Sequence, residues 1–190
     1  MTEIVLYHHV QGLTDGVRSF ADDLRRAGHT VHTPDLFDGR TFDTIDAGMA
    51  YARDAGFETL AERGVAAAEP FGPAVVYAGF SMGVIIAQRL AQTRPGARGA
   101  LLMYSCLPVS EFGQTWPEGV PVQIHGKADD EFFLEDVDAA RALVDSTDRA
   151  ELYLYPGSEH LFADSSLPAY DAAAAALLTE RVLAFLDSPQ

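Results

Sequence analysis

Apolar positions along the chain form short continuous runs that alternate with segments of helical periodicity. Residues 4–7, 29–33, 74–78, 100–104, 120–124 and 151–155 read as six strands. Between them, residues 15–27 carry Val17, Phe20, Leu24 and Ala27 at helical spacing, and Gly28 stands where a helix stop belongs. Residues 43–68 read as a helix, with Gly56 and Gly64 as the points where it would break. Further helices are expected from the turn after the third strand to about Thr93, near residues 137–144, and over residues 168–186.

Strands that are apolar throughout, each followed by a helix, imply a mostly parallel sheet covered on both faces. The expected fold is therefore α/β: a doubly wound sheet of about six strands with right-handed crossovers. Residues 1–190 read as one domain, without an internal repeat or a Ser/Pro-rich linker. Such sheets place their sites at the carboxyl ends of the strands, so chemistry is sought there.

The third strand runs into Gly79-Phe80-Ser81-Met82-Gly83, a G-x-S-x-G sequence followed by a helical segment. Strand, tight turn and helix in that order form the context of a nucleophile elbow. The turn leaves no room for bulk two residues before or after the serine, which accounts for Gly79 and Gly83. Ser81 would project its hydroxyl at the positive end of the following helix, and the Met82 N–H would face the same spot as an oxyanion donor. A Gly-rich turn holding an incidental serine is the plainer alternative.

A serine hydroxyl needs a base, and the base needs an orienting acid. In this fold class the chain order is Ser, acid, His. The fifth strand leads into His125-Gly126-Lys127-Ala128-Asp129-Asp130, and the sixth into Pro156-Gly157-Ser158-Glu159-His160. His160 is the expected base and Asp129 the expected acid. Asp130 is the alternative, since sequence places a loop residue only to within a position or so. A helix N-cap or turn role is the bland reading of the Asp pair, and an exposed loop histidine that of His160.

Charge narrows the partners. The 190 residues hold 28 Asp and Glu against 13 Lys and Arg, a formal net charge of −15. No basic footprint for nucleic acid is visible, and anionic membranes are repelled. The single cysteine, Cys106, excludes an internal disulfide and a multi-Cys metal site. The N-terminal sequence has neither the basic start nor the apolar run of a signal peptide, and a cytoplasmic location is expected. Residues 12–16 do not make a phosphate-binding G-x-G-x-x-G, so no cofactor and no metal are expected.

These segments together resemble the dienelactone hydrolase family of α/β-hydrolases over nearly the whole chain. The carriers are His8 to Leu13 after the first strand, Pro34 to Arg40, the Gly79–Gly83 motif, Gly126 to Asp129, and His160 to Asp164; the helix after Tyr170-Asp171 also fits. The resemblance implies a minimal α/β-hydrolase fold, a triad of Ser81, Asp129 and His160, and a second oxyanion donor at the backbone N–H of Val10. Three departures stand out. Dienelactone-cleaving members use a cysteine nucleophile where this chain has Ser81. His9 stands at the position of a family glutamate, and Asp164 at that of an arginine holding the substrate carboxylate. An acidic residue there favours a small, neutral ester, thioester or lactone.

The irregular stretch 107–119 reads as a rim over the site. Trp116, His9, Phe162 and Cys106 are its candidate pocket residues, although a packed aromatic and an inert buried thiol are the bland readings of Trp116 and Cys106. Lys127 reads as a solvated side chain. The expected activity is serine-dependent hydrolysis through an acyl-enzyme, by a monomer or homodimer acting on a small-molecule ester or lactone. Two alternatives stay open: a non-catalytic ligand-binding protein on the same scaffold, and acyl transfer to peroxide or another acceptor by the same triad.

Overall fold

In the computed structural model, which describes residues 1–188, six strands form one fully parallel sheet. They are β1 (Glu3–Tyr7), β2 (Thr30–His32), β3 (Val76–Phe80), β4 (Gly99–Met103), β5 (Val122–Lys127) and β6 (Ala150–Tyr155). The helices are α1 (Asp15–Arg26), α2 (Ile45–Ala55), α3 (Phe57–Ala68), α4 (Met82–Thr93), α5 (Glu131–Ser146) and α6 (Ala172–Asp187).

The strand order is β2-β1-β3-β4-β5-β6. The chain moves outward from β1 to β2, then crosses back to lay β3 on the other side of β1. That reversal leaves a crevice between the carboxyl ends of β1 and β3, where ligands of doubly wound sheets bind.

Strand periodicity divides the core. Ile4, Leu6, Val76, Ala78, Leu101 and Met103 pack with Val17, Phe20 and Leu24 of α1 and Leu178, Val182 and Phe185 of α6. The intervening Val5, Tyr7, Tyr77, Ala100 and Leu102 pack with α2 to α5. The central strands β3, β4 and β5 are buried along their whole length. The edges are blunted, because β2 has only three residues and β6 exposes Glu151 and Leu154.

The element boundaries shift where glycine and capping decide. Residues 43–68 are two helices, not one, because Gly56 adopts φ 85° and ends α2. Gly64 does not break α3. A Cβ there would lie 2.6 Å from Cδ1 of Ile86, so this glycine lets α3 approach α4, and its carbonyl accepts the Tyr7 hydroxyl at 2.9 Å. The last helix starts at Ala172 rather than Pro168, capped by the Asp171 carboxylate on the Ala173 and Ala174 N–H groups. Strand β5 continues through His125, Gly126 and Lys127, which were expected in a loop. Gly126 has the ring of Phe133 against it, where a Cβ would clash.

Replacing Gly64 by Val would test the α3–α4 approach. Overpacking against Ile86 outweighs the gain in helix propensity, so a loss of about 1–3 kcal/mol is expected in urea unfolding. A variant as stable as the parent would show that the contact is not tight.

Candidate active site

Strand β3 ends at Phe80, and Ser81 comes next at φ 49°, ψ −112°, as the residue that caps α4. A positive φ in a non-glycine residue costs roughly 1–3 kcal/mol and recurs at functional sites. The flanking glycines have the anticipated purpose. A Cβ on Gly79 would collide with the Gly83 backbone, and one on Gly83 would lie 2.5 Å from the Tyr7 carbonyl oxygen. The turn is thus clamped between its own glycines and the end of β1. The Ser81 N–H donates to the Met103 carbonyl at 2.7 Å, which ties the turn to β4 as well.

His160 meets Ser81 from the loop after β6. Its Nε2 lies 2.9 Å from the Ser81 Oγ, and its Nδ1 lies 2.6 Å from Oδ2 of Asp130. A carboxylate facing Nδ1 places the ring proton there, so Nε2 accepts from the serine hydroxyl. The ring packs near Tyr104 and Phe132, with centroids 5.6 and 4.8 Å away.

The partner of His160 is Asp130, which corrects the expectation of Asp129. The physical reason lies in β5, which runs three residues further than expected. Asp129 is left exposed in the turn, its N–H bonded to the Gly157 carbonyl. Asp130 is 1% exposed and has two tasks: Oδ1 caps α5 by accepting from the Phe132 N–H at 3.1 Å, and Oδ2 holds His160. The capping reading and the acid reading belong to the same residue.

A cavity of about 360 Å³ opens over the serine, lined by Val10, Ser81, Met82, Tyr104, Phe132 and His160 among others. Met82 is the first residue of α4, so its N–H has no carbonyl one turn back to bond. Val10 reaches the cavity from the β1 loop. A Cβ on Gly48 of α2 would collide with the Val10 carbonyl, so α2 fixes this loop closely. The cavity's carboxylate lining comes from Glu135 and Asp136 of α5.

None of the four candidate pocket residues reaches this cavity. His9 is fully buried; it accepts from the Gln11 N–H at Nδ1 and donates from Nε2 to Asp164 at 2.8 Å. Phe162 is in the core on the α1/α6 face. Cys106 is buried, and desolvation, then Asp136, pushes its thiol up to about 12. Trp116 donates from its indole N–H to the Val120 carbonyl and lines a separate cavity. Residues not anticipated include Tyr104, Ser105, Phe132, Glu135 and Asp136. Tyr104 and Ser105 directly follow β4, where the rule placing sites at carboxyl ends would have found them, whereas Phe132, Glu135 and Asp136 lie on α5 and carry no sequence signal.

Asp164 also differs from expectation. It does not face the cavity; its carboxylate accepts from His9, from the Thr14 hydroxyl, and from the Ser166 N–H and hydroxyl. It links the β1 loop to the loop that carries His160, four residues away. Lys127, expected in solvent, is buried with its ammonium 2.6 Å from Glu159 and 2.7 Å from Asp171. Burial pulls Lys127 down, but the hydrogen bonds it donates to Asp171 and Glu159 outweigh it and the net shift is upward. Nearby, His8 is lowered to about 4 by desolvation; its Nδ1–H donates to the His9 carbonyl and its Nε2 accepts from the Leu36 N–H.

Comparison with known proteins gives the family and the fold. The dienelactone hydrolase family model matches residues 1–189. No curated protein sequence matches the chain. Among solved structures, a dienelactone hydrolase-like promiscuous phosphotriesterase, P91, from metagenomic libraries superposes with TM-score 0.74 at 20% identity, covering 100% of this chain and 87% of that one. A candidate dienelactone hydrolase from Klebsiella pneumoniae gives TM-score 0.73 at 16% identity, covering 98% and 86%. A dienelactone hydrolase from Anabaena variabilis gives 0.63 at 20%, covering 97% and 87%. The fold is a minimal α/β-hydrolase fold, and the protein is a hydrolase. The chain belongs to the dienelactone hydrolase family. No helix among the described residues is long and apolar enough to cross a membrane.

Stability should report the Asp164 network. Burial raises this carboxyl, but hydrogen bonds from His9, Ser166 and Thr14 outweigh it and the net shift is downward. A group lowered on folding stabilises above its unfolded pKa, about 3.9 for Asp, and loses that contribution as pH falls through the folded value. In urea unfolding, Asp164→Asn should therefore lie furthest below wild type near pH 7, with the gap narrowing below about pH 4. A gap that stays constant across that range would contradict a paired, ionised Asp164.

Proposed function

We propose that the protein hydrolyses small, uncharged carboxylic esters, lactones or thioesters through an acyl-enzyme on Ser81. The observation that carries this reading is the continuous relay Asp130–His160–Ser81, with hydrogen bonds of 2.6 and 2.9 Å. His160 takes the hydroxyl proton as Ser81 Oγ attacks the substrate carbonyl, and Asp130 holds the imidazole and stabilises its protonated form. The Met82 and Val10 N–H groups serve the oxyanion of the tetrahedral intermediate. His160 then protonates the leaving group, and water repeats the sequence to free the acid and Ser81. An assembled relay of this kind speaks against a binding module that does no chemistry.

The uncharged substrate class rests on different residues from those first considered. Asp164 is enclosed in its own network, while Glu135 and Asp136 line the cavity and would repel a carboxylate close to the reacting centre.

Asp130→Asn keeps the N-cap, because Asn caps about as well as Asp, yet it favours the wrong imidazole tautomer. Its kcat on p-nitrophenyl acetate should fall by about 10⁴-fold, with Asp129→Asn within about twofold of wild type. Ser81→Ala should lose the activity to a similar or greater extent. Equal losses at Asp129 and Asp130, or turnover that persists in Ser81→Ala, would refute the assignment.

A further inference from the structure

An apolar space that the reading above does not use lies beside the catalytic cavity. It measures about 500 Å³ and is bounded by α5 on one side and the 108–116 loop on the other. Trp116, Pro108, Val109, Ala139, Ala142 and Leu143 form its apolar lining. A space of this size is in the range of ordinary small-molecule sites.

Two observations connect it to the serine. Glu135 and Asp136 line both cavities, and Leu107 of the catalytic cavity is followed in the chain by Pro108 and Val109 of the second. Two side chains stand at the boundary they share. They are the exposed Glu135 and Asp136, whose carboxylate accepts from the Ser105 hydroxyl at 2.6 Å and the Cys106 N–H at 3.2 Å.

The second space is also preformed. Gln88 of α4 donates to the Leu107 carbonyl and accepts from its N–H, and Gln92 one turn on donates to the Val109 carbonyl. The two amides are bonded to each other at 3.0 Å. Buried Gln88 thus holds the loop that forms one wall, and the Trp116 N–H is already bonded to Val120. Nothing in the fold requires an open apolar space here; a side chain larger than alanine at 139 or 142 would fill it.

We infer that this cavity is a substrate subsite, taking the apolar tail of an ester whose carbonyl sits at Ser81. The inference rests on the ester-hydrolase reading above and adds the shape of the substrate: an uncharged, medium-length alkyl or aryl tail passing over Glu135 and Asp136. The charged residues of the subsite are Glu135, Asp136 and Asp138, all acidic, so a tail ending in a carboxylate is refused. The tail belongs to either the acyl or the alcohol half, and two substrate series separate these.

The test measures kcat/KM for p-nitrophenyl esters from acetate to octanoate, and for alkyl acetates from ethyl to octyl by proton release. Wild type is compared with Ala139→Trp and Ala142→Trp, at half-buried and exposed positions of α5. Each methylene that enters the subsite raises kcat/KM by roughly fourfold at most. One of the two series should therefore climb at least about tenfold from shortest to longest in wild type. Both variants should cut that long-to-short ratio at least about fivefold, while a fluorophosphonate still labels Ser81. The series that responds identifies the half that carries the tail. A flat profile in both series, or a ratio unchanged in both variants, overturns the subsite while leaving the hydrolase reading intact. Absence of Ser81-dependent turnover of even the acetates overturns both.

Discussion

The site depends on a lack of space. The backbone at Ser81 turns so sharply that neither Gly79 nor Gly83 has room for a Cβ, and Gly83 rests against the terminal carbonyls of β1. That contact fixes α4 over the crevice between β1 and β3. Ser81, the first residue of α4 and Val10 of the β1 loop all line the same cavity. The strain at Ser81 is offset by the packing of α4, whose Val84, Ile86, Ala87 and Leu90 anchor the helix in the core. Of the four non-glycine residues with positive φ among the described residues, three border the site: Ser81, Tyr104 and Leu161. Strain is concentrated at the carboxyl edge of the sheet, where the rest of the fold can hold it.

A second level of organisation keeps His160 in place. His160 sits in a loop tied on both sides by charges that do not enter the cavity. On one side Glu159 pairs with buried Lys127, which also holds Asp171 at the cap of α6. On the other, Asp164 binds His9 and Thr14 of the β1 loop. The loop that carries His160 is thereby joined to the loop that carries Val10.

Much of this architecture was legible in the residues. The six strands, the glycine-flanked serine and the order serine, acid, histidine all come from local rules that the tertiary structure obeys. The errors have physical causes. Asp129 and Asp130 are adjacent and chemically identical; what separates them is how far β5 runs before the turn, and periodicity cannot place a strand end that closely. His9 and Asp164 are expected near substrate from the resemblance alone, which places them at the positions of a family glutamate and a substrate-holding arginine. Their mutual hydrogen bond spans 155 positions and leaves no local trace. Lys127 was misjudged for the same reason, its two partners being 32 and 44 residues away. The cavity walls at Tyr104, Ser105 and Asp136 carry no motif at all; the first two follow the end of β4 and Asp136 lies on α5, so position and not residue type assigns them.

Hydrolysis by this site requires Ser81 to be the activated nucleophile. Incubation with a fluorophosphonate, with intact-mass measurement and peptide mapping of the product, addresses this directly. One adduct per chain, located on Ser81 and absent from a His160→Ala variant on the same timescale, is the predicted result. No adduct, or labelling of another residue at a rate that ignores the loss of His160, would contradict it.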